Sequence, residues 1–532
     1  MSSITAEAGG AASPQRDAAE KARYRRAWFG YLAMLFGNFM AILDIQIVAS
    51  SINQLQAGLS ASADEIQWVQ TSYLIAEVIA IPLSGYLSRM LSTRIYFVIS
   101  ALGFALASVA CAFAWNLESM IVFRVCQGFL GGGMIPTTSA ALFTMFPAAK
   151  RVLPFVLFGL VSTLAPSIGP TIGGYLTESF SWHWLFLINV VPGAIVSVAV
   201  WNLVRIDKPM PELLRSIDLW GLAFMAVFLG SFEYVLDEGP RKDWFSEDSV
   251  ALCAVTATIG GLLFFWRAFT AKTPIVDLHV FRNRNFALGS VLAMAIGLGL
   301  YTLIYLTPLF LGQVRGYNSL QIGEVMMVQG AAMFVSAPIV GRLSRYFDLR
   351  VLIAFGLVFI ATGSWLNGQL TDDWGPLEFA VPQIFRGAGF LFCMFSMTNI
   401  AMGTLPANEV KNASGVFNVM RNLGGAIGLA SINTLINSRS WLHWQMLSES
   451  VRDDRPAVRE ALAGTTALAR NALGGSGQSE GLSLIARQMQ QQVAVMTYGD
   501  LFMLIAAVML GVLLLLPLIE KPKIEVPAEA AH

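Results

Sequence analysis

Ala165-Pro166-Ser167-Ile168-Gly169-Pro170-Thr171-Ile172-Gly173-Gly174 sits inside an apolar stretch that runs from Val152 to Leu176. A membrane-crossing helix needs about 20 predominantly apolar residues, and this stretch has that length without a single charge. Proline inside a helix forfeits a backbone hydrogen bond and bends it, while Gly169 and Gly173, four apart, clear one face for a neighbouring helix. The segment reads as a bent contact hinge within a span. Its use is either gating or plain small-residue packing, and neither makes it a ligand site. Gly128-x-x-x-Gly132 reads as a packing seam of the simpler kind.

Thirteen further stretches have the same character. Hydropathy places spans at about 28–51, 66–88, 94–114, 118–143, 152–176, 184–204, 217–236, 249–270, 286–311, 321–343, 349–369, 377–402, 413–436 and 498–519. The expectation is an all-α membrane protein with fourteen transmembrane helices. With 55% hydrophobic and 13% charged residues, water cannot be its solvent. A net charge of zero gives no support to a nucleic-acid partner. Cys111, Cys126, Cys253 and Cys393 are scattered through apolar stretches, so neither a disulfide framework nor a metal site is expected. No phosphate-binding Gly-x-x-x-x-Gly-Lys-Ser/Thr loop is present, so ATP-driven transport would need a separate subunit; neither an enzyme nor a cofactor is expected. The N-terminus lacks the pattern of a removable signal peptide.

An even number of spans puts both termini on one side. Lys and Arg choose the side: Arg16, Lys21, Arg23, Arg25 and Arg26 are followed by Arg89/Arg94, Lys150/Arg151, Arg205/Lys208/Arg215, Arg267/Lys272/Arg282/Arg284, Arg342/Arg345/Arg350, Lys411 and Lys521/Lys523. The short loops of the other face hold only Arg241, Lys242 and Arg315. Positive charge stays in the cytoplasm, so both termini of this multi-pass protein are expected there.

The chain repeats itself. Ile81-Pro82-Leu83-Ser84-Gly85-Tyr86-Leu87-Ser88-Arg89 returns as Ala337-Pro338-Ile339-Val340-Gly341-Arg342-Leu343-Ser344-Arg345, and Gln127-Gly128 as Arg386-Gly387. Leu164 to Gly169 returns as Leu423 to Gly428. Two six-helix halves fit this spacing only with two helices inserted between them. The organisation read from this is a disordered cytoplasmic tail at 1–27, a bundle at 28–205, inserted helices and linkers at 206–285, a bundle at 286–519 and a tail at 520–532. Parallel halves around a midplane site are one way to build alternating access.

Gly169-Pro170-x-x-Gly173-Gly174 and Arg124-Val125-Cys126-Gln127-Gly128 resemble two signatures of the major facilitator superfamily. Pro274-Ile275-Val276-Asp277-Leu278, Phe281 to Phe286, and Arg421 to Gly428 resemble its fourteen-helix drug:proton antiporter branch. The resemblance implies a major facilitator fold and efflux of amphipathic, drug-like small molecules driven by protons. It also implies a periplasmic membrane-fusion adaptor and, through it, an outer-membrane channel. Two departures stand out. The first-helix motif keeps its acid as Asp44 but lacks the accompanying Thr, Asn and Pro, and Arg89 stands where the loop after the second helix usually has an acid.

Ionisable residues inside spans are costly, about 2.5–3.5 kcal/mol each on insertion scales, and mark function or pairing. Asp44 lies inside the first span and Glu77 inside the second. Taking a carboxylate out of water favours its protonated form, so either acid suits proton coupling; the alternative is a structural ion pair with Arg124. Gln70, Tyr73, Glu77 and Ser84 share one stripe of the second helix, expected to face a wet cavity. Arg124 and Gln127 share a face of the fourth, where the guanidinium either modulates a neighbouring acid or neutralises it. Gln383 and Arg386 are their counterparts in the twelfth span, and Asn418 and Arg421 sit in the thirteenth. Arg386 fits either an anionic substrate or a bond to backbone carbonyls. Gln70, Tyr73, Gln127, Gln383, Arg386, Asn418 and Arg421 are the candidate cavity residues, while Glu233 and Glu324, near outer helix ends, read as solvated. His183, His279 and His443 lie at helix ends or in loops, and no relay of histidines is expected.

The outer loop at 437–497 is long. Pro456 to Leu473 has helical spacing, Gly474-Gly475-Ser476-Gly477 is a break, and Glu480 to Met496 resumes as helix. This loop is either a dock for the adaptor or a cap packed on its own bundle.

Overall fold

The computed structural model describes residues 14–62, 65–147, 150–406, 409–451, 456, 459–460, 463–464, 466–467 and 478–521. Among them the regular structure is helical, with no strand. The first half comprises α1 (Pro14–Ser50), α2 (Ile52–Leu59), α3 (Trp68–Leu91), α4 (Thr93–Ala112), α5 (Leu117–Gly132), α6 (Met134–Met145), α7 (Val152–Ser179), α8 (Trp184–Leu187) and α9 (Val190–Leu203). An inserted pair follows, α10 (Leu219–Glu238) and α11 (Asp248–Thr270). The second half comprises α12 (Arg284–Gln313), α13 (Ser319–Leu343), α14 (Leu349–Asn367), α15 (Pro376–Gly403), α16 (Val410–Ser450) and α17 (Gln478–Val512).

Among the described residues, eleven helices are long and apolar enough to cross a membrane, or twelve with the bent α7 counted as one span. The two other expected spans, 118–143 and 413–436, are also helical but do not meet that measure. The first is divided at Gly133 into α5 and α6, of 16 and 12 residues. The second is α16, whose Lys411, Asn412, Asn418, Arg421 and Asn422 dilute its apolar character. The tail expected at 1–27 is helical from Pro14 on, where Ala, Glu, Lys and Arg favour helix and Arg26 Nε donates to the Leu203 carbonyl at 3.3 Å. Residues 1–13, 522–532 and most of 456–477 lie outside the described residues.

The internal repeat is visible in packing. The pairs α1/α7, α3/α5, α4/α5 and α4/α9 touch in the first half, and α12/α16, α13/α15, α14/α15 and α14/α17 repeat them in the second. Its sequence mark has a steric cause: a Cβ on Gly128 would strike the Tyr73 carbonyl of α3, and one on Gly387 would strike the Gln329 carbonyl of α13. The two halves meet through α3/α16 and α7/α13, which are again equivalent pairs, and α10 lies against both α3 and α16.

The basic loops converge on one end. Thr93 N–H donates to both Asp207 oxygens at 3.1 and 3.0 Å, Arg350 reaches the Ile519 carbonyl at 3.1 Å, and Arg284 pairs with Glu520 at 3.1 Å. Cross-half contacts gather there too. Lys411 of α16 donates to the Ser88 carbonyl at 3.2 Å and pairs with Asp207, and Ser414 Oγ donates to the Pro136 carbonyl at 3.0 Å. Asp207 thus places a carboxylate beside the loop where Arg89 replaces the customary acid, and it caps the positive end of α4.

The Pro/Gly stretch of the fifth span bends as its prolines demand. Val152–Pro166 and Ile168–Ser179 diverge by 42°. Gly169 meets Gln46, and a Cβ on Gly173 would stand 2.7 Å from Ser50 Oγ and 3.0 Å from the Ile47 carbonyl, whereas one on Gly174 would meet nothing within 4 Å. The hinge therefore bears on α1 a few residues beyond Asp44. Gly173→Leu is expected to destabilise the protein by about 1–3 kcal/mol through overpacking, while Gly174→Ala leaves it unchanged. Thermal unfolding in detergent, with transport measured in parallel, checks the contrast.

Candidate functional site

Five helices tie one knot in the first half. Arg124 Nη1 donates to Asp44 Oδ2 at 2.7 Å and to Gln127 Oε1 at 2.7 Å, and Arg124 Nε donates to the Val69 carbonyl at 3.0 Å. Asp44 Oδ1 accepts from Gln127 Nε2 at 3.0 Å and from Asn189 Nδ2 at 2.6 Å. Gln127 Nε2 also donates to Ser108 Oγ at 2.7 Å. The guanidinium lies 4.1 Å from the centre of the Tyr73 ring. Asp44 and Arg124 are both 0% exposed. The knot holds α1, α3, α4, α5 and the α8/α9 junction at one point: α1, α3, α5 and the junction touch the carboxylate–guanidinium pair itself, and Ser108 of α4 joins through Gln127.

The pairing of Asp44 with Arg124 follows from their depth in the spans; Ser108 and Asn189 were not singled out. Their only signal in sequence is a small polar residue within an otherwise apolar stretch. Arg124 keeps one polar atom, Nη2, without a hydrogen-bond partner, and so does the Tyr73 hydroxyl.

The other candidates separate into three places. Tyr73 and Gln127 belong to the knot and not to a cavity between the halves. Gln70 is partly buried with an unpartnered Oε1, and Glu77 is buried on the same helix. Ser84 turns back to the Ile81 carbonyl at 2.6 Å, so the expected stripe of α3 is enclosed by neighbours. Gln383 and Arg386 lie in the core of the second half, where Arg386 donates to Gln383 Oε1 at 2.6 Å and to Thr307 Oγ1 at 3.2 Å. No carboxylate pairs with Arg386 among the described residues, and no backbone carbonyl takes up its charge. Asn418 and Arg421 line a cavity between the halves with Ser139, Phe155, Phe158 and Phe390. Among the described residues Arg421 is its one charged group, and Asn418 Oδ1 and Arg421 Nε have no hydrogen-bond partner.

Glu324 is exposed, as expected for a solvated residue, but Glu233 is not. It is partly buried, because α10 lies directly on α3. Gly169 and Gly173 form the contact with α1, Pro170 lies in the bent helix and Gly174 faces open space, and none of the four lines the cavity.

Comparison with known proteins agrees with this architecture. Residues 34–429 match the Major Facilitator Superfamily, and the chain belongs to that superfamily. It is 47% identical over 487 residues to the colistin resistance protein EmrB of Acinetobacter baumannii, covering 91% of this chain and 94% of that one. It is 30% identical over 485 residues to the multidrug export protein EmrB of Escherichia coli K12, covering 91% and 93%. The fatty acid resistance protein FarB of Neisseria gonorrhoeae is 29% identical over 470 residues, covering 87% and 90%. The solved proton:xylose symporter XylE superposes with a TM-score of 0.56 at 12% identity, covering 92% of this chain and 96% of that one, a likeness of fold alone. The chain is an EmrB-like multi-pass membrane transporter of the export type and not an enzyme.

Arg124→Met would leave Asp44 buried with only its two amide donors. Breaking a buried pair on one side costs about 3–5 kcal/mol. The Asp44→Asn/Arg124→Met double variant is expected to regain most of that loss, and unfolding of the purified single and double variants measures the difference.

Proposed function

We propose that the chain is a proton-coupled exporter of amphipathic and hydrophobic small molecules in the bacterial inner membrane, with both termini in the cytoplasm. The observation that carries this reading is the Asp44–Arg124 pair, an acid and a base 2.7 Å apart and wholly out of water. A charged pair there is expensive and poorly suited to stability alone, but a proton on Asp44 would release Arg124 and loosen α1 from α5. The motion has a path to the other half. α1 bears on Gly169 and Gly173 of α7, and α7 packs on α13.

The gathering of basic loops at one end supports cytoplasmic termini. With the halves in contact at that end, the inner side is closed, and opening it requires breaking the Lys411 contacts with Ser88 and Asp207. The cavity's aromatic lining with one guanidinium suits an apolar body with a polar or acidic head, and relatives named for multidrug export and fatty acid resistance support that cargo class.

For the partners, the outer segment supports a dock. At 1.5 Å per residue α16 is about 60 Å long, roughly twice the hydrocarbon thickness of a bilayer. Its overhang runs beside the middle of α17, joined by His443 Nε2 to Asp500 Oδ2 at 3.0 Å and Ser440 to Thr497 at 3.3 Å. Trp441 and Met446 stay exposed on it. This surface suits a periplasmic membrane-fusion adaptor leading to an outer-membrane channel, making the chain the inner-membrane subunit of a tripartite pump.

In proteoliposomes, Asp44→Asn is expected to reduce gradient-driven transport to the level of protein-free liposomes while leaving substrate exchange without a gradient intact. Gradient-driven transport at the unmodified rate by this variant would refute the coupling role. Excising about 456–492 behind a short Gly/Ser linker is expected to preserve that transport but weaken adaptor binding and cellular resistance. Unchanged adaptor affinity both in this variant and in Trp441→Ala/Met446→Ala would refute the dock.

A further inference from the structure

At the basic end of the molecule the two halves leave a cleft of about 540 Å³ between them. Its first bank carries Tyr24 and Trp28 of α1 with Lys150 just before α7, and its second carries Arg342, Arg345 and Tyr346 at the end of α13. The floor is the seam of α7 and α13, where a Cβ on Gly341 would stand 2.9 and 3.0 Å from the two Val152 methyl carbons. The volume falls within the roughly 300–1,000 Å³ of small-ligand sites.

Three cations and no carboxylate line this cleft among the described residues. The Lys150 ammonium rests 4.6 Å from the centre of the Tyr24 ring. Arg342 and Arg345 are exposed, and among the described residues none of the three makes a salt bridge or a side-chain hydrogen bond. Several neighbouring cations at this end are committed elsewhere. Arg350 pairs with Asp348, Arg284 with Glu520 and Lys411 with Asp207, while Arg151, beside Lys150, donates to the Phe143 and Phe146 carbonyls at 2.9 Å. The cleft therefore holds positive charge from both halves with nothing of this chain to balance it.

The surface that leads into the cleft is apolar. From Arg342 back along α13, Ile339 and Val335 follow at three- and four-residue spacings, so they share its face, and they are 48% and 65% exposed. Leu153 on the opposite bank is 47% exposed. In a bilayer this stripe meets acyl chains at the depth where the cations beyond it meet headgroups. Trp28 and Tyr346 add the amphipathic rings that belong at that boundary.

We propose that this cleft binds the phosphodiester headgroup of an anionic phospholipid, with acyl chains along Val335 and Ile339, and that the headgroup bridges the halves from Lys150 to Arg342 and Arg345. Basic pockets between membrane helices suit such headgroups. A guanidinium fork matches two phosphate oxygens at once, and the lysine adds a point charge. A soluble phosphate would satisfy the cations and leave the apolar stripe unused, whereas a lipid uses both. Because the cations come from different halves, the bound lipid holds the basic ends together and favours the state closed there. This site goes beyond the transport reading above and stands whether or not protons drive the cycle.

The test titrates the full-length protein in a neutral detergent with phosphatidylglycerol and counts bound lipid by native mass spectrometry. Phosphatidylcholine of the same chain length and free glycerol phosphate are run beside it. The expected result is one phosphatidylglycerol bound in preference to phosphatidylcholine, with glycerol phosphate far weaker. At about fivefold per cation, from roughly 1 kcal/mol for each basic residue near a headgroup, Lys150→Gln weakens binding about fivefold and Arg342→Gln/Arg345→Gln about 25-fold. Arg205→Gln/Lys208→Gln, which removes two exposed cations outside the cleft, leaves it unchanged. Phosphatidylglycerol also raises the unfolding temperature of the unmodified protein, and the rise is lost from either bank alone, in Lys150→Gln as in Arg342→Gln/Arg345→Gln. Equal binding of the two lipids marks a general lipid coat, and glycerol phosphate as tight as the lipid marks a site for a soluble anion; either overturns the proposal. The same loss in Arg205→Gln/Lys208→Gln overturns it as well, and full stabilisation in Lys150→Gln overturns the bridge.

Discussion

A carboxylate and a guanidinium with no access to water must satisfy each other, and the first half of the molecule is arranged around that demand. Asp44 has two oxygens and finds three donors, from Arg124, Gln127 and Asn189. Arg124 in turn needs the Val69 carbonyl, Gln127 and the face of Tyr73. The pair is satisfied because α1, α3, α5 and the α8/α9 junction meet at one depth, and separating them would expose a charge to the bilayer. This constraint makes the knot both a structural centre and a place where one proton would change the balance of forces.

The second half repeats the packing without repeating the chemistry. Gly387 keeps the close crossing that Gly128 allows, yet Arg386 has Gln383 and Thr307 where Arg124 has an acid. The halves are therefore alike as scaffolds and unlike as electrostatic objects. In the proposed cycle the proton acts on the first half, and the second responds through contacts such as α7 on α13.

Much of this was legible in the sequence because a bilayer enforces simple rules. Hydropathy placed most of the helices, and the depth of Asp44 and Arg124 in their spans marked them as special. Direction around each helix was harder to read. Tyr73 and Gln127 sit on polar stripes that could face a cavity or a partner within the same half, and only the arrangement of neighbours decides for the partner. Asn189 meets Asp44 across 145 residues of chain, a pairing no local pattern encodes. Glu233 was read as solvated from its place near a helix end, because α10 on α3 is a tertiary fact. Hydropathy also passed over the break at Gly133 and the extension of α16 beyond its span.

The central claim is that Asp44 changes its protonation when the transporter engages its cargo. Infrared difference spectroscopy on the reconstituted protein, with and without Nile red, reads that change directly through the carboxyl C=O stretch. The account predicts a protonated-carboxyl band that responds to cargo and is missing in Asp44→Asn. A cargo-dependent band that is identical in Asp44→Asn, or no carboxyl band in a protein that is actively pumping, would contradict it.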